Sequence, residues 1–320
     1  MIKDSIQLLV VDGGGTKTKA VLVGIGDTII GEGKAGASNY HVVGEDAAKN
    51  EIVAAILSAL FAAGIKPGIG TKVDKAVFAL AGIDTSQDVK KTEKIVHDVI
   101  KTLSIEVGRL LVENDCLSAL IGATQNKAGI LLIVGTGSVV YANDGNNRIV
   151  RSGGWGHRVG DEGSGYWIGL HAIQSVFRMW DGRGEETLLA SLVLEKFGFL
   201  NIEELYNWTY SDSYSIDDVG ALAALVYQAH RMGDTVSKRI LDAAADELVL
   251  LLVTVIKKAN IEQDEIDLIL QGGVILHNTY LQKQVLQKMQ QSTTQFNIII
   301  PHEEPISNII KRGLNLGNPG

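Results

Sequence analysis

Two short segments carry residue types suited to binding phosphate. Residues 12–17 read Asp-Gly-Gly-Gly-Thr-Lys, and residues 135–138 read Gly-Thr-Gly-Ser. Backbone N–H groups hold anionic oxygens without a proton cost, provided no Cβ blocks their approach. Gly13, Gly14 and Gly15 with Thr16 form one such turn, and Gly135 with Thr136, Gly137 and Ser138 forms another. A facing pair of such turns grips a polyphosphate from both sides. Lys17 supplies a point charge to phosphate. Asp12 would repel a bare phosphate. At the tip of a strand its chemistry is that of a Mg²⁺ partner acting through water, since Mg²⁺ keeps much of its hydration shell. Each turn alone equally describes a plain tight turn. The two together, in this order and followed by Gly272-Gly273, are far more specific. No GxGxxG fingerprint occurs, because 13–18 reads GGGTKT and 135–140 reads GTGSVV, and no GxxxxGK[ST] occurs either.

The elements around these turns alternate. IQLLVVDGGGTKTKAVLVG (6–24) is an apolar run, a glycine turn and a second run in which Thr18, Ala20 and Leu22 face opposite to Lys19, Val21 and Val23; this predicts a β-hairpin. GILLIVGTGSVVYAND (129–144) repeats the layout. DLILQGGVIL (267–276) is a third apolar run, ending in Gly-Gly before a helical pattern. LLVENDCLSALIGA (110–123) is a strand followed by a small-residue helix, and KAVFALAGID (75–84) is a short buried strand reaching Ala81-Gly82. Helical periodicity covers 45–64, 86–103, 219–234, 236–260 and the final stretch that begins near Pro305. Residues 200–218 are polar, aromatic and irregular, which predicts a loop-helix elaboration of the second half. The two glycine hairpins, about 120 residues apart, predict an internal duplication with a cleft between the halves.

Composition narrows the class. The chain has 320 residues, 46% hydrophobic and 21% charged, which is globular and excludes wholesale disorder. That length implies two domains or one large one. The net charge is −8, and no Lys/Arg cluster forms a nucleic-acid patch. Cys116, the single cysteine, cannot form an internal disulfide, and no Cys/His set has zinc spacing. No apolar run has the length of a membrane span or of a signal peptide's apolar region. The expectation is a soluble cytoplasmic protein that binds neither nucleic acid nor membrane.

Together, DGGGTKTK, GTGS, LILQGGV and GGWGHRVGDEGSGYWIG (153–169) resemble the N-acetylglucosamine kinase-like proteins grouped with the BadF/BadG/BcrA/BcrD ATPases of the actin/hexokinase/Hsp70 superfamily. The last segment carries the most specific likeness, and the resemblance spans nearly the whole chain. It implies an α/β protein of two ribonuclease H-like lobes, the actin-like ATPase fold, with an interlobe cleft. Residues 1–120 would form the N-terminal lobe, with the helix at about 305–320 packing back on it, and residues 121–304 a larger C-terminal lobe. The implied reaction transfers the γ-phosphoryl of ATP, with Mg²⁺, to the C6 hydroxyl of an N-acetylated amino sugar. N-acetylglucosamine leads, and N-acetylmuramic acid or glucosamine is the alternative, in amino-sugar metabolism fed by cell-wall recycling or by chitin. A homodimer is expected from the same resemblance.

The resemblance also assigns roles. Gly13, Gly14, Gly15, Thr16, Lys17, Thr136, Gly137 and Ser138 bind ATP, and Gly272 and Gly273 lie against adenine and ribose or else make a strand-to-helix turn. Asp12 partners Mg²⁺. Asp115 is the base that accepts the proton of the attacking hydroxyl; Asp115 or Asn114 would otherwise serve as the N-cap of the following helix. Ser38, Asn39, Gly154, Trp155 and Asp161 contact the sugar with Asp115. Plain alternatives stand beside these: a turn for Ser38-Asn39, core packing for Trp155. Ala81-Gly82 lines the phosphate end. Trp180, Trp208, Tyr206, Tyr210 and Tyr214 read as packing or as a subunit interface.

Two other function classes fit the sequence less well. A partner-activating ATPase of the same superfamily shares a [4Fe–4S] cluster across a dimer, which needs two thiolates per subunit, and this chain offers Cys116 alone. A sugar-responsive repressor needs a helix-turn-helix arm, for which a first strand starting near residue 6 leaves no room.

Overall fold

A computed structural model of the chain describes residues 6–146, 148–261, 265–290, 295–301 and 304–317. The described residues divide into two compact units, one running from residue 6 to Lys127 together with 304–317, the other from Ala128 to Pro301.

In the first unit, β1 (Ile6–Gly13), β2 (Thr18–Val23) and β3 (Ile29–Ala35) form an antiparallel meander, since a glycine turn joins β1 to β2. Then α1 (Tyr40–Val43) and α2 (Glu45–Ala62) lead to β4 (Thr71–Leu80), α3 (Ser86–Leu103), β5 (Ile105–Asn114) and α4 (Asp115–Thr124). β4 and β5 run parallel to β1, giving the order β3-β2-β1-β4-β5. Alternation in β1 sends Leu9 and Val11 to the face covered by α2 and α3, and Leu8 and Val10 to the other. Gly31 and Gly33 lie in β3 because the backbone of α2 comes so close that a Cβ would strike the carbonyls of Ala59 and Ala55.

The second unit repeats the plan. β6 (Gly129–Val134), β7 (Ser138–Asn143) and β8 (Ile149–Gly153) are antiparallel neighbours. Five helices follow: α5 (Gly165–Trp180), α6 (Leu189–Phe197), α7 (Ile202–Thr209), α8 (Ile216–Arg231) and α9 (Thr235–Ala259). β9 (Glu265–Gln271), α10 (Gly273–His277), α11 (Thr279–Met289) and β10 (Gln295–Ile299) complete it, with β9 parallel to β6 and β10 parallel to β9. The order β8-β7-β6-β9-β10 is that of the first sheet, strand for strand, so the duplication expected from the hairpins is present in the topology. The core joins Ile130, Leu132 and Leu270 to Ile168, Leu222 and Leu248 on the helices.

The last helix, α12 (Pro305–Leu314), belongs to the first unit. It brings Ile306 and Ile309 to Leu8, Val10 and Val77. Its backbone approaches α4 closely enough that Gly122 has room for no side chain opposite the carbonyl of Asn308. Among the described residues, no helix is long and apolar enough to cross a membrane.

Candidate active site

In the first unit the three parallel strands end level. Gly13 pairs with Leu80 and Leu80 with Asn114, so β1, β4 and β5 deliver their following loops to one edge of the sheet. The carboxyl ends of parallel strands are where open α/β sheets bind ligands. Asp12, Gly82 and Asp115 all lie at this edge.

Asn114 and Asp115 have separate tasks. Asn114 is the N-cap of α4, its Oδ1 accepting from the amides of Cys116 (2.9 Å) and Leu117 (3.3 Å). The cap therefore leaves Asp115, the first residue of the helix, with one oxygen accepting from Cys116 N–H (2.9 Å). Burial pushes its carboxyl up, against the lowering effect of that bond. A half-buried carboxylate of raised basicity is a fit proton acceptor. Cys116 is no nucleophile: burial and the neighbouring Asp115 charge drive its thiol well up.

Asp12 lies near enough for the two acids to repel. Its carboxyl rises to about 6, first through burial and then through the charge of Asp115, with Lys17 opposing. No described residue hydrogen-bonds that carboxylate. Among the described residues no three His, Cys, Asp or Glu side chains gather as a cage. A cation here would rest on Asp12, beside Asp115, and on oxygens of a ligand. That donor set suits Mg²⁺, which takes one or two carboxylates and keeps water or phosphate for its other positions.

The first glycine turn is open on one side. Gly13 is packed against Ser38 and Leu80, whereas a Cβ on Gly15 would meet nothing within 4 Å. The amides of Gly15 and Thr16 make no hydrogen bond among the described residues, and Thr16 and Lys17 are exposed. Ser38 and Asn39 are tied to this turn, both amides donating to Gly14 O (3.0 and 3.2 Å). Ser38 is 4% exposed. The Thr18 hydroxyl donates toward both Gly36 O (2.7 Å) and Ser38 Oγ (2.8 Å), which share its one proton. Asn39 caps α1 through its Oδ1, which accepts from His41 N–H (3.0 Å), and its side-chain nitrogen is left as a donor with no hydrogen bond among the described residues. Gly82, at φ +86°, lies beneath Asn39 Oδ1, where a Cβ would come within 2.7 Å.

The second unit holds the other motifs. In the turn 135–138, Thr136 is exposed, and the amides of Thr136 and Gly137 make no hydrogen bond among the described residues. Ser138 is buried and donates its hydroxyl to Glu162 O (2.8 Å). The carbonyls of Gly135 and Thr136 accept from the first amides of α5, at Gly165 (2.8 Å) and Tyr166 (3.1 Å). Asp161 adopts φ +61° and is 8% exposed. Its carboxylate accepts from the amides of Ser138 and Gly156, and burial still pushes its carboxyl up. It thereby joins the second glycine turn to the loop 153–164. In that loop Trp155 stands 61% exposed. One of its faces is covered by the Arg151 guanidinium, 4.5 Å from the ring centroid, and the same guanidinium donates to Gly153 O and Gly154 O, both at 3.0 Å.

A pocket of about 500 Å³ lies beside Gly135 and Thr136, between α8 and α10. Gly273 lines it, and a Cβ there would meet only His277, at 3.9 Å. Gly272, by contrast, is required by φ +100° and by the carbonyl of Val134 against it. The opposite wall, Asp217, Gly220, Ala224 and Tyr227, was not expected from sequence. The signal was present in GALAAL, whose Gly220, Ala221, Ala223 and Ala224 line the cavity with small side chains where large ones would fill it.

The aromatic residues of 180–214 separate into two groups. Trp208 is buried against Phe197 and Tyr214, while Trp180, Tyr206 and Tyr210 are exposed.

Residues 9–307 match the BadF/BadG/BcrA/BcrD ATPase family. An N-acetylmuramic acid/N-acetylglucosamine kinase of Clostridium acetobutylicum is 35% identical over 273 residues, 85% of this chain and 86% of that protein. An N-acetyl-D-glucosamine kinase of Dictyostelium discoideum is 33% identical over 83% of this chain and 84% of its own length. The fold is similar to a crystal structure described as a putative N-acetylglucosamine kinase from Chromobacterium violaceum, with a TM-score of 0.74, 23% identity and coverage of 97% and 99% of the two chains. It is also similar to a ROK family glucokinase from Streptomyces griseus, with a TM-score of 0.56, 16% identity and coverage of 96% and 97%. The two duplicated sheets are thus of the actin-like ATPase and ROK kinase type.

Proposed function

Since the chain belongs to the BadF/BadG/BcrA/BcrD ATPase family, we propose that it transfers the γ-phosphoryl of ATP to the C6 hydroxyl of an N-acetylated amino sugar, N-acetylglucosamine foremost. The coarser activity, an amino-sugar kinase, follows from relatives at 35% and 33% identity over most of the chain. The observation that carries the chemistry is the Asp115 carboxylate, raised by burial at the start of a helix whose N-cap is Asn114.

Asp115 accepts the proton of the sugar hydroxyl as that oxygen bonds to phosphorus and the bond to the ADP oxygen breaks. The unpaired amides of Gly15 and Thr16 suit phosphate oxygens, as do those of Thr136 and Gly137 in the second unit, and Lys17 adds charge. Asp12 would hold Mg²⁺, which when bound would screen the phosphate charge from the two acids. The pocket at Gly273 takes adenine and ribose, beside Gly272. Asn39 donates to the sugar, and Trp155 stacks on it with the face that Arg151 leaves clear. Gly154 and Asp161, in the loop that carries Trp155, contact the sugar as well. Ser138, whose hydroxyl donates to Glu162 O, acts by holding its loop against the ligand, while Ser38, whose oxygen accepts from Thr18, keeps its proton for the sugar. The enzyme is read as a cytoplasmic homodimer, and the exposed Trp180, Tyr206 and Tyr210 support a subunit contact.

The test is ADP release from ATP and Mg²⁺ with N-acetylglucosamine, N-acetylmuramic acid, glucosamine, N-acetylmannosamine, glucose and no sugar. Stimulation is expected with N-acetylglucosamine above all. Its 6-deoxy analogue should bind without accepting phosphate. Equal ADP release with and without every sugar overturns the proposal, and turnover of the 6-deoxy sugar overturns the C6 assignment.

A further inference from the structure

Asp88 is 6% exposed and both of its oxygens are engaged. One of them, Oδ2, completes the capping box of α3: it accepts from Thr85 N–H (2.7 Å), Thr85 Oγ1 (2.8 Å) and Asp84 N–H (3.2 Å), while Thr85 Oγ1 accepts from the Asp88 amide. Capping needs nothing more. The other oxygen, Oδ1, accepts from the hydroxyl of Tyr40 and lies 3.2 Å from His41 Nε2. Tyr40 and His41 directly follow Asn39. Burial alone would raise this carboxyl, but the hydrogen bonds from Tyr40 and Thr85 hold it down at about 2, so it stays a charged acceptor.

Asn39 therefore stands between two anchors. On one side Ser38 and its own amide bind Gly14 O in the glycine turn. On the other, Tyr40 is held at Asp88, 48 residues away in sequence. Gly82, in the loop that ends at the capping box, packs beneath Asn39 Oδ1 with no room for a side chain. Fixing Oδ1 fixes the direction in which the Asn39 amide nitrogen points.

We infer that Asp88 is a positioning residue for the sugar: through Tyr40 and His41 its Oδ1 holds the segment that presents Asn39 to substrate, separately from its capping of α3. This rests on the reading that Asn39 contacts the sugar.

The two oxygens can be tested apart. Tyr40→Phe removes a contact of Oδ1 and keeps the capping box; Thr85→Ala does the reverse. Binding of N-acetylglucosamine by calorimetry, the KM values for sugar and ATP, and Tm are read for each, with Asn39→Ala alongside. Tyr40→Phe is expected to weaken sugar binding roughly tenfold, the worth of a hydrogen bond to a charged acceptor, with the KM for ATP within about twofold. Thr85→Ala is expected to lower Tm and leave both KM values unchanged. Asp88→Asn should show both effects. The inference is overturned if Tyr40→Phe moves only Tm, or raises both KM values alike. If Asn39→Ala leaves sugar binding intact, the reading of the sugar subsite falls and this inference with it; if Asn39→Ala weakens binding and Tyr40→Phe does not, only the role of Asp88 falls.

Discussion

Asn114 caps the helix that Asp115 begins. Two adjacent polar residues at a strand-to-helix junction compete for the same amides, and here the neutral one takes Leu117 N–H alone and shares Cys116 N–H with the charged one. The charged one keeps a raised carboxyl at the end of a parallel strand. Asp115→Asn is expected to retain the fold and nucleotide binding and to lower kcat by about 10²- to 10⁴-fold, the usual worth of a general base. Asn114→Ala should instead cost about 1 kcal/mol of stability, the usual worth of a cap. Steady-state kinetics with nucleotide calorimetry and thermal melts read the two separately; near-normal turnover in Asp115→Asn would show that the base lies elsewhere.

Asp12 makes a prediction whose sign depends on pH. Its carboxyl is raised from 3.8 to about 6 by burial and by the charge of Asp115. A carboxyl raised in the folded state favours folding while it is protonated. That contribution is present below 3.8 and is lost as pH rises through about 6. Without ligands, Asp12→Asn is therefore expected to be more stable than the wild type at pH 8, on the order of 1–2 kcal/mol, and equal to it near pH 3.5. Turnover should fall in the same variant. Melts at the two pH values decide it, since a difference of equal size at both would mean that charge is not the cause.

The hairpins and the register of chemistry along them were legible because a glycine turn between two alternating runs admits few other structures. The strand β3 was not, because Gly31 and Gly33 break the apolar pattern for a reason that lies in α2, whose backbone presses on them. The helix α5 was hidden for a similar reason: its start at Gly165 falls within a glycine-rich run, and what makes it helical is the cap at Ser164 and the carbonyls of the second turn. Residues 200–218 read as a loop-helix elaboration without fixed bounds, and Asn201 caps the helix there. Of the candidate site, the glycines and acids were visible by type. The pocket wall on α8 and the division of work between Asn114 and Asp115 are matters of three-dimensional approach, which spacing alone left open.

Arg151 ties Trp155 to its loop by three contacts, two to carbonyls and one to the ring face. Arg151→Ala is expected to raise the KM for sugar about tenfold, the combined loss of a cation–π contact and two charged hydrogen bonds acting through Trp155. Arg151→Lys should fall between, because an ammonium keeps the charge but not the planar fork. The KM for ATP should stay within about twofold in both. A uniform loss for both substrates would mean that Arg151 supports the unit as a whole and not the sugar loop.

Gly272 and Gly273 are neighbours with opposite reasons for being glycine, and substitution should separate them. Gly272 holds φ +100° with the Val134 carbonyl where a Cβ would go. Gly272→Ala therefore carries backbone strain of about 1–3 kcal/mol before any clash is counted, and it should lower Tm. Gly273 has ordinary backbone geometry and open space above it, with only His277 within 4 Å of a Cβ. Gly273→Val should fold normally and narrow the pocket between α8 and α10. The expected result is a rise of about tenfold or more in the KM for ATP, the penalty for forcing a ligand against an extra side chain, with the KM for sugar unchanged. Kinetics with both substrates varied and a thermal melt check this. Normal ATP affinity in Gly273→Val would move adenine out of this pocket, because a base stacked beside Gly273 could not escape the added methyl groups.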